Sequence, residues 1–165
     1  MKLNTHLVTG FCVATSLALL LGLGPREAVF SGILALAANY LIDALGHRGR
    51  GRAPFAHSLV GVTLVTIALF TALTALSPYA PIPSIDALKL FASSYAGALT
   101  HLLLDALTEG GVYIAYPFSR RRFAIAHLDY DNPVANVVAS TLAIALLLYV
   151  AWIRYGHEVF AWFAK

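Results

Sequence analysis

Two pairs of residues set four apart, Asp43 with His47 and His101 with Asp105, each put an imidazole and a carboxylate on one helical face. Such partners stand about 5–6 Å apart at Cβ. Asn39 extends the first stripe by one turn, and His57 and His6 supply two more imidazoles. A set of this kind can enclose a divalent cation. Imidazole suits zinc and related transition metals, while carboxylates widen the choice toward manganese or iron. With coordination positions left open, such an ion can carry a hydroxide against an ester or phosphoester. Any single member has a plainer reading, since a lone histidine in an apolar helix is ordinarily hydrogen-bonded structure. The group weighs more, because ionisable residues inside a membrane are costly and mark function by default.

The elements that must position these residues are transmembrane helices. Of 165 residues, 59% are hydrophobic and 12% charged, against roughly 45–50% and about 25% in ordinary soluble domains. A soluble domain this small could not hide that excess, and the mean hydropathy of +0.76 agrees. The length fits one membrane domain, residues 1–165. A span needs about 20 mainly apolar residues, and the apolar runs predict an all-α bundle of about five helices, near 5–23, 28–46, 57–77, 87–107 and 133–155. The N-terminal run imitates a signal peptide, but the four further spans argue for a retained first helix. The lone Cys12 lies in an apolar run and is read as a small core residue.

The breaks have local causes. Gly22-Leu23-Gly24-Pro25 reverses the chain after the first helix, and Asn132-Pro133 reads as an N-cap followed by proline at the first helical position. Residues 46 to 54 form a glycine-rich basic loop, and 77 to 84 hold three prolines. Alternating the spans across the bilayer gathers five of the six histidines on one side: His6, His47, His57, His101 and His127. That side also carries Lys2, Arg48, Arg50, Arg52, Arg120, Arg121 and Arg122. By the positive-inside rule it is cytoplasmic, with the N-terminus, and the C-terminus lies outside. The net charge of +3 and pI near 9.2 then report loop orientation, and no nucleic-acid partner is expected.

From Gly110 to Phe123 runs a glycine and aromatic stretch ending in three arginines. Its tyrosines and phenylalanines fit the membrane–water interface. Arg120, Arg121 and Arg122, with Arg52, are candidates to grip a phosphate or lipid headgroup. The same residues fit a positive-inside anchor touching acidic headgroups. His127, Asp129 and Asp131 alternate in a loop and read as solvated, and Ser58 beside His57 reads as a helix cap before a nucleophile.

The order Asn4-Thr5-His6, Asp43 with His47, Arg52 to Ser58 (RAPFAHS), His101 to Asp105 (HLLLD) and then Tyr116 to Phe123 (YPFSRRRF) resembles a known family. It is similar to the predicted membrane-bound metal-dependent hydrolases of bacteria and archaea, and within them to a small archaeal branch known as a domain of unknown function. The likeness covers residue 4 to about 123, and its most specific part is HxxxD followed by Tyr-Pro-Phe. It implies an inner-membrane protein with a metal-binding, hydrolase-like site at His6, Asp43, His57, His101 and Asp105. Two departures stand out. Tyr40 and Leu41 occupy the positions of a proline and an aspartate, and the first histidine of the family's His-Arg-Gly-x-Thr-His-Ser is absent.

The function expected is therefore a metal-dependent hydrolase at the cytoplasmic membrane face. His57, His101, Asp105 and Asp43 would hold zinc or manganese, and His6, His47 and Asp43 would assist catalysis on a phosphate-bearing or lipid substrate. The alternatives are a metal or proton transporter or sensor, and a scaffold with buried Asp–His pairs.

Overall fold

The computed structural model describes residues 1–46, 52–75 and 84–163. It contains five helices: α1 Leu3–Leu20, α2 Pro25–Gly46, α3 Leu59–Ala75, α4 Ser84–Ala106 and α5 Pro133–Phe163. There is no strand among the described residues, only two isolated bridges, Thr108 to Leu128 and Val112 to Phe123. Four helices are long and apolar enough to cross a membrane, and α3 is a shorter apolar helix. His47, Arg48 and Arg50, and most of the proline-rich connection, lie outside the described residues.

Helices α1, α2 and α4 pack on one another, α3 leans on α2 and α4, and α5 rests mainly on α1. Small residues set the closeness of the central three. A Cβ on Gly97 would lie 2.5 Å from the Gly10 carbonyl oxygen and 2.7 Å from the Ala14 Cβ, so α1 and α4 touch backbone to backbone. Such contact is how helices associate in lipid, where no hydrophobic force draws them together. Hydroxyls add glue: Ser31 shares hydrogen bonds with Ser93 at 2.7 Å and Ser94 at 3.1 Å. α5 is mostly bare, only 17% buried over its apolar window, with Val137, Leu142, Leu148 and Trp152 facing outward. That surface needs lipid.

Local sequence explains the helix ends. Gly22 takes φ +82°, its N–H reaches the Leu19 carbonyl, and the Leu23 N–H reaches Ala18, a Schellman closure of α1. The Ser58 hydroxyl accepts the Gly61 N–H at 3.0 Å and caps α3; it also donates to the Phe55 carbonyl at 2.7 Å. Asn132 likewise accepts the Ala135 N–H at 3.0 Å ahead of Pro133. Because Ser58 is the cap, α3 begins at Leu59, and His57 sits in the turn before it instead of on the helix. α5 runs on to Phe163, past the expected end near 155, since no proline interrupts it and Trp152 packs over Gly156.

Candidate metal centre

The first turn of α1, the last turns of α2 and α4, and the turn before α3 meet at one end of the bundle. They bring His6, Asp43, His57, His101 and Asp105 together. His6, His57 and His101 are fully buried, and Asp105 is 1% exposed. Asp43 is the most open of the five, with 13% of its side chain exposed.

Asp105 is the hub, and its two oxygens do different things. Oδ1 accepts a hydrogen bond from the Met1 ammonium at 2.6 Å and one from Arg52 Nη2 at 3.0 Å, and lies 3.2 Å from His6 Nε2. Arg52 is anchored by a second bond, Nη1 to the Gly111 carbonyl at 2.7 Å. Oδ2 faces the other way, 3.4 Å from His57 Nε2 and 3.5 Å from His101 Nε2. Oδ2 and His101 Nε2 are both buried without a hydrogen-bond partner among the described residues.

The hydrogen bonds behind His101 fix its tautomer. Asn39 Nδ2 donates to the Ala35 carbonyl at 2.8 Å and to the Gly97 carbonyl at 3.2 Å, so its Oδ1 must be the atom facing His101. His101 Nδ1–H therefore donates to Asn39 Oδ1 at 3.2 Å, which leaves the lone pair on Nε2. That lone pair points at two carboxylate oxygens, Asp105 Oδ2 at 3.5 Å and Asp43 Oδ1 at 3.6 Å. His57 is arranged alike, with Nδ1 toward the Ala53 carbonyl at 3.4 Å and Nε2 toward Asp105. Burial is the main cause that lowers the pKa of His57, in the turn ahead of α3, to about 4, and the neighbouring His101 adds to it. A neutral imidazole with its outer nitrogen on a carbonyl is the form that binds metals.

Lone pairs aimed at carboxylates repel unless a cation lies between them. Donors of a tetrahedral site with bonds of ~2.1 Å stand ~3.4 Å apart, which matches the 3.4–3.6 Å separations around His101 and Asp105. Two three-residue groups have suitably close donor atoms: His57, His101 and Asp105, and His6, Asp43 and His101. Both groups include His101, so the two candidate positions adjoin at that ring and are, among the described residues, alternatives for one His101 lone pair. His6 stacks on His101 with ring centroids 3.9 Å apart, which disfavours protonating both rings at once.

The remaining candidates lie elsewhere. Arg120, Arg121 and Arg122 are exposed on the segment after α4, which is tied to the site end by Tyr113 N–H to the His57 carbonyl at 2.9 Å. Arg52, expected at the rim, turns inward to Asp105. His127 is exposed at φ +49°, and Asp129 lines a cavity of about 450 Å³ with Arg52 and Tyr130. A second cavity of about 450 Å³ is lined by Lys2, Tyr40 and Asp43. Sequence reasoning did not foresee the Met1 ammonium or the carbonyls of Ala53 and Gly111, because main-chain groups carry no residue-type signal.

Buried ionisable groups at one end of helices with bare apolar flanks define a multi-pass membrane protein. The chain belongs to the YdjM inner membrane protein family, whose model matches residues 1–163. That description names a location and no reaction, and it carries neither the hydrolase activity nor the archaeal branch that the resemblance implied. No curated protein and no solved structure matches the chain.

Proposed function

We propose that the protein is a metal-dependent membrane hydrolase whose ion, zinc or manganese, is held by His57, His101, Asp105 and Asp43. The observation that carries this reading is the His101 lone pair, fixed by Asn39 and aimed at two carboxylates. A proton can satisfy one such contact, whereas a metal satisfies His57, His101 and Asp105 together. When bound, the ion would polarise a phosphoryl or carbonyl oxygen and lower the pKa of a water. His6, beside Asp105 and stacked on His101, would be placed to accept that water's proton. Arg52 and the Met1 ammonium hold Asp105 Oδ1, which would leave Oδ2 to serve as the ligand. The exposed Arg120, Arg121 and Arg122 at the site end favour a phosphate-bearing substrate and, by the positive-inside rule, a cytoplasmic site.

A transport role would need polar groups from face to face. Buried hydroxyls do continue inward to Ser31, Ser93 and Ser94, but beyond them Leu19, Leu23, Ala28 and Leu90 form an apolar cluster. This favours a one-ended site over a path.

The test is metal content of the purified, detergent-solubilised chain by elemental mass spectrometry, beside His101→Ala/Asp105→Ala. About one ion per chain, lost in the double variant while helicity by circular dichroism persists, is expected. No metal in the wild type after incubation with zinc, manganese and iron would overturn the proposal.

A further inference from the structure

An apolar groove of about 490 Å³ runs along the outside of the bundle where α1, α4 and α5 meet. α5 lines it with one stripe, Ala135, Val138, Ala139, Leu142, Ala143 and Leu146. The spacing of three and four keeps all six on one face. The alanines recur every fourth residue and form a trough floor, while Val138, Leu142 and Leu146 stand as its wall. Val13 on α1 and Leu104 on α4 close the opposite side.

Length and position identify the occupant. From Ala135 to Leu146 the helix rises ~17 Å, close to half of the ~30 Å hydrocarbon core. The groove thus spans one leaflet, the one at the metal-centre end. At its polar end it reaches Met1, which also lines both polar cavities beside the centre. Those cavities hold Lys2 as a cation, Arg52 already engaged by Asp105 and the Gly111 carbonyl, with Asp43, Glu109 and Asp129 as anions and the side chains of Tyr40 and Tyr130.

We infer that the groove takes one hydrocarbon chain of a phosphate-bearing lipid from that leaflet and so delivers its headgroup to the cavities at Met1. This rests on the reading of the site as a hydrolase for a phosphate-bearing substrate, and it names the substrate class. The trough aligns the chain with the membrane normal, and the phosphate lies at the level of Lys2. A bulky side chain on the floor should exclude the lipid without touching any metal ligand.

The experiment uses the full chain in detergent and phosphatidylglycerol carrying a diazirine in mid-chain, with peptide mapping after illumination. Saturable labelling at one lipid per chain, confined to α5 between Val138 and Leu146 and to α1 near Val13, is expected. Ala139→Phe should lower it by about tenfold and leave metal content unchanged. A diacylglycerol probe with the same chain, lacking phosphate, should label more weakly. Labelling spread evenly over lipid-facing helices including α3, or equal labelling in Ala139→Phe, would overturn the groove. Equal labelling by diacylglycerol would overturn the phosphate requirement. Each arm is run with and without chelator. Loss of groove labelling in a metal-replete chain indicts this inference alone, and groove labelling in a chain that binds no metal indicts only the metal reading.

Discussion

His101 owes the direction of its Nε2 lone pair to Asn39. Asn39 uses both amide hydrogens on carbonyls of α2 and α4, and this leaves an oxygen to accept the His101 Nδ1–H. Groups that orient a metal-bound histidine in this way typically carry 10–100-fold in metal affinity. Asn39→Leu, which is close in shape and lacks the acceptor, should weaken zinc binding by about that factor while the helical signal persists. Zinc competition against a chromophoric chelator reads the change, and wild-type affinity in the variant would remove Asn39 from the centre. Asp105 shows a second division of labour within one side chain. Two donors occupy Oδ1 with His6 Nε2 beside them at 3.2 Å, and Oδ2 is left to His57 and His101. Arg52→Gln, which loses the ion pair but keeps a donor, should lower metal affinity less than Asp105→Asn, which removes the charge.

Helices place these atoms only because small residues let them approach. His57 lies against Gly46 at the end of α2, where an added Cβ would meet the imidazole carbon Cε1 and come within 2.7 Å of Nδ1. Gly46→Val should therefore push His57 out of the cluster and lower metal stoichiometry with the bundle intact. Metal analysis beside circular dichroism separates that result from unfolding, and full metal occupancy in the variant would contradict it. Gly97 is a harsher case, since its would-be Cβ faces the Gly10 carbonyl and the Ala35 and Ala14 methyls. Backbone cannot yield as a side-chain tip does, so Gly97→Leu should abolish cooperative thermal unfolding in detergent. A wild-type melting profile would show that α1 and α4 separate freely. Ser58→Ala, by loss of the α3 cap, should cost about 1 kcal/mol.

Among the described residues the buried ionisable groups gather at one end of the bundle, and the orientation of that axis is open to direct measurement. With Cys12 replaced by alanine, Phe118→Cys, at a position 93% exposed at the site end, should react with an impermeant maleimide only after the membrane is permeabilised. Arg26→Cys at the other end should react in spheroplasts. The reverse pattern would place the centre on the outer face. Composition and run lengths alone determined that this is an all-helical membrane protein, because burying about 20 apolar residues in lipid leaves few alternatives to a helix. The HxxxD spacing determined that His101 and Asp105 share a face, and Asn132-Pro133 and Gly22 set helix ends, since those are interactions within a few residues. Tertiary structure alone decided that Asp105 is the hub, that Arg52 turns inward, and that Asn39 fixes a tautomer. It also decided that the alanine row of α5 floors a groove. Each of these depends on the angle and distance at which separate helices cross, and those are set by close approaches at Gly10 and Gly97, and of His57 on Gly46, that leave no period in the sequence.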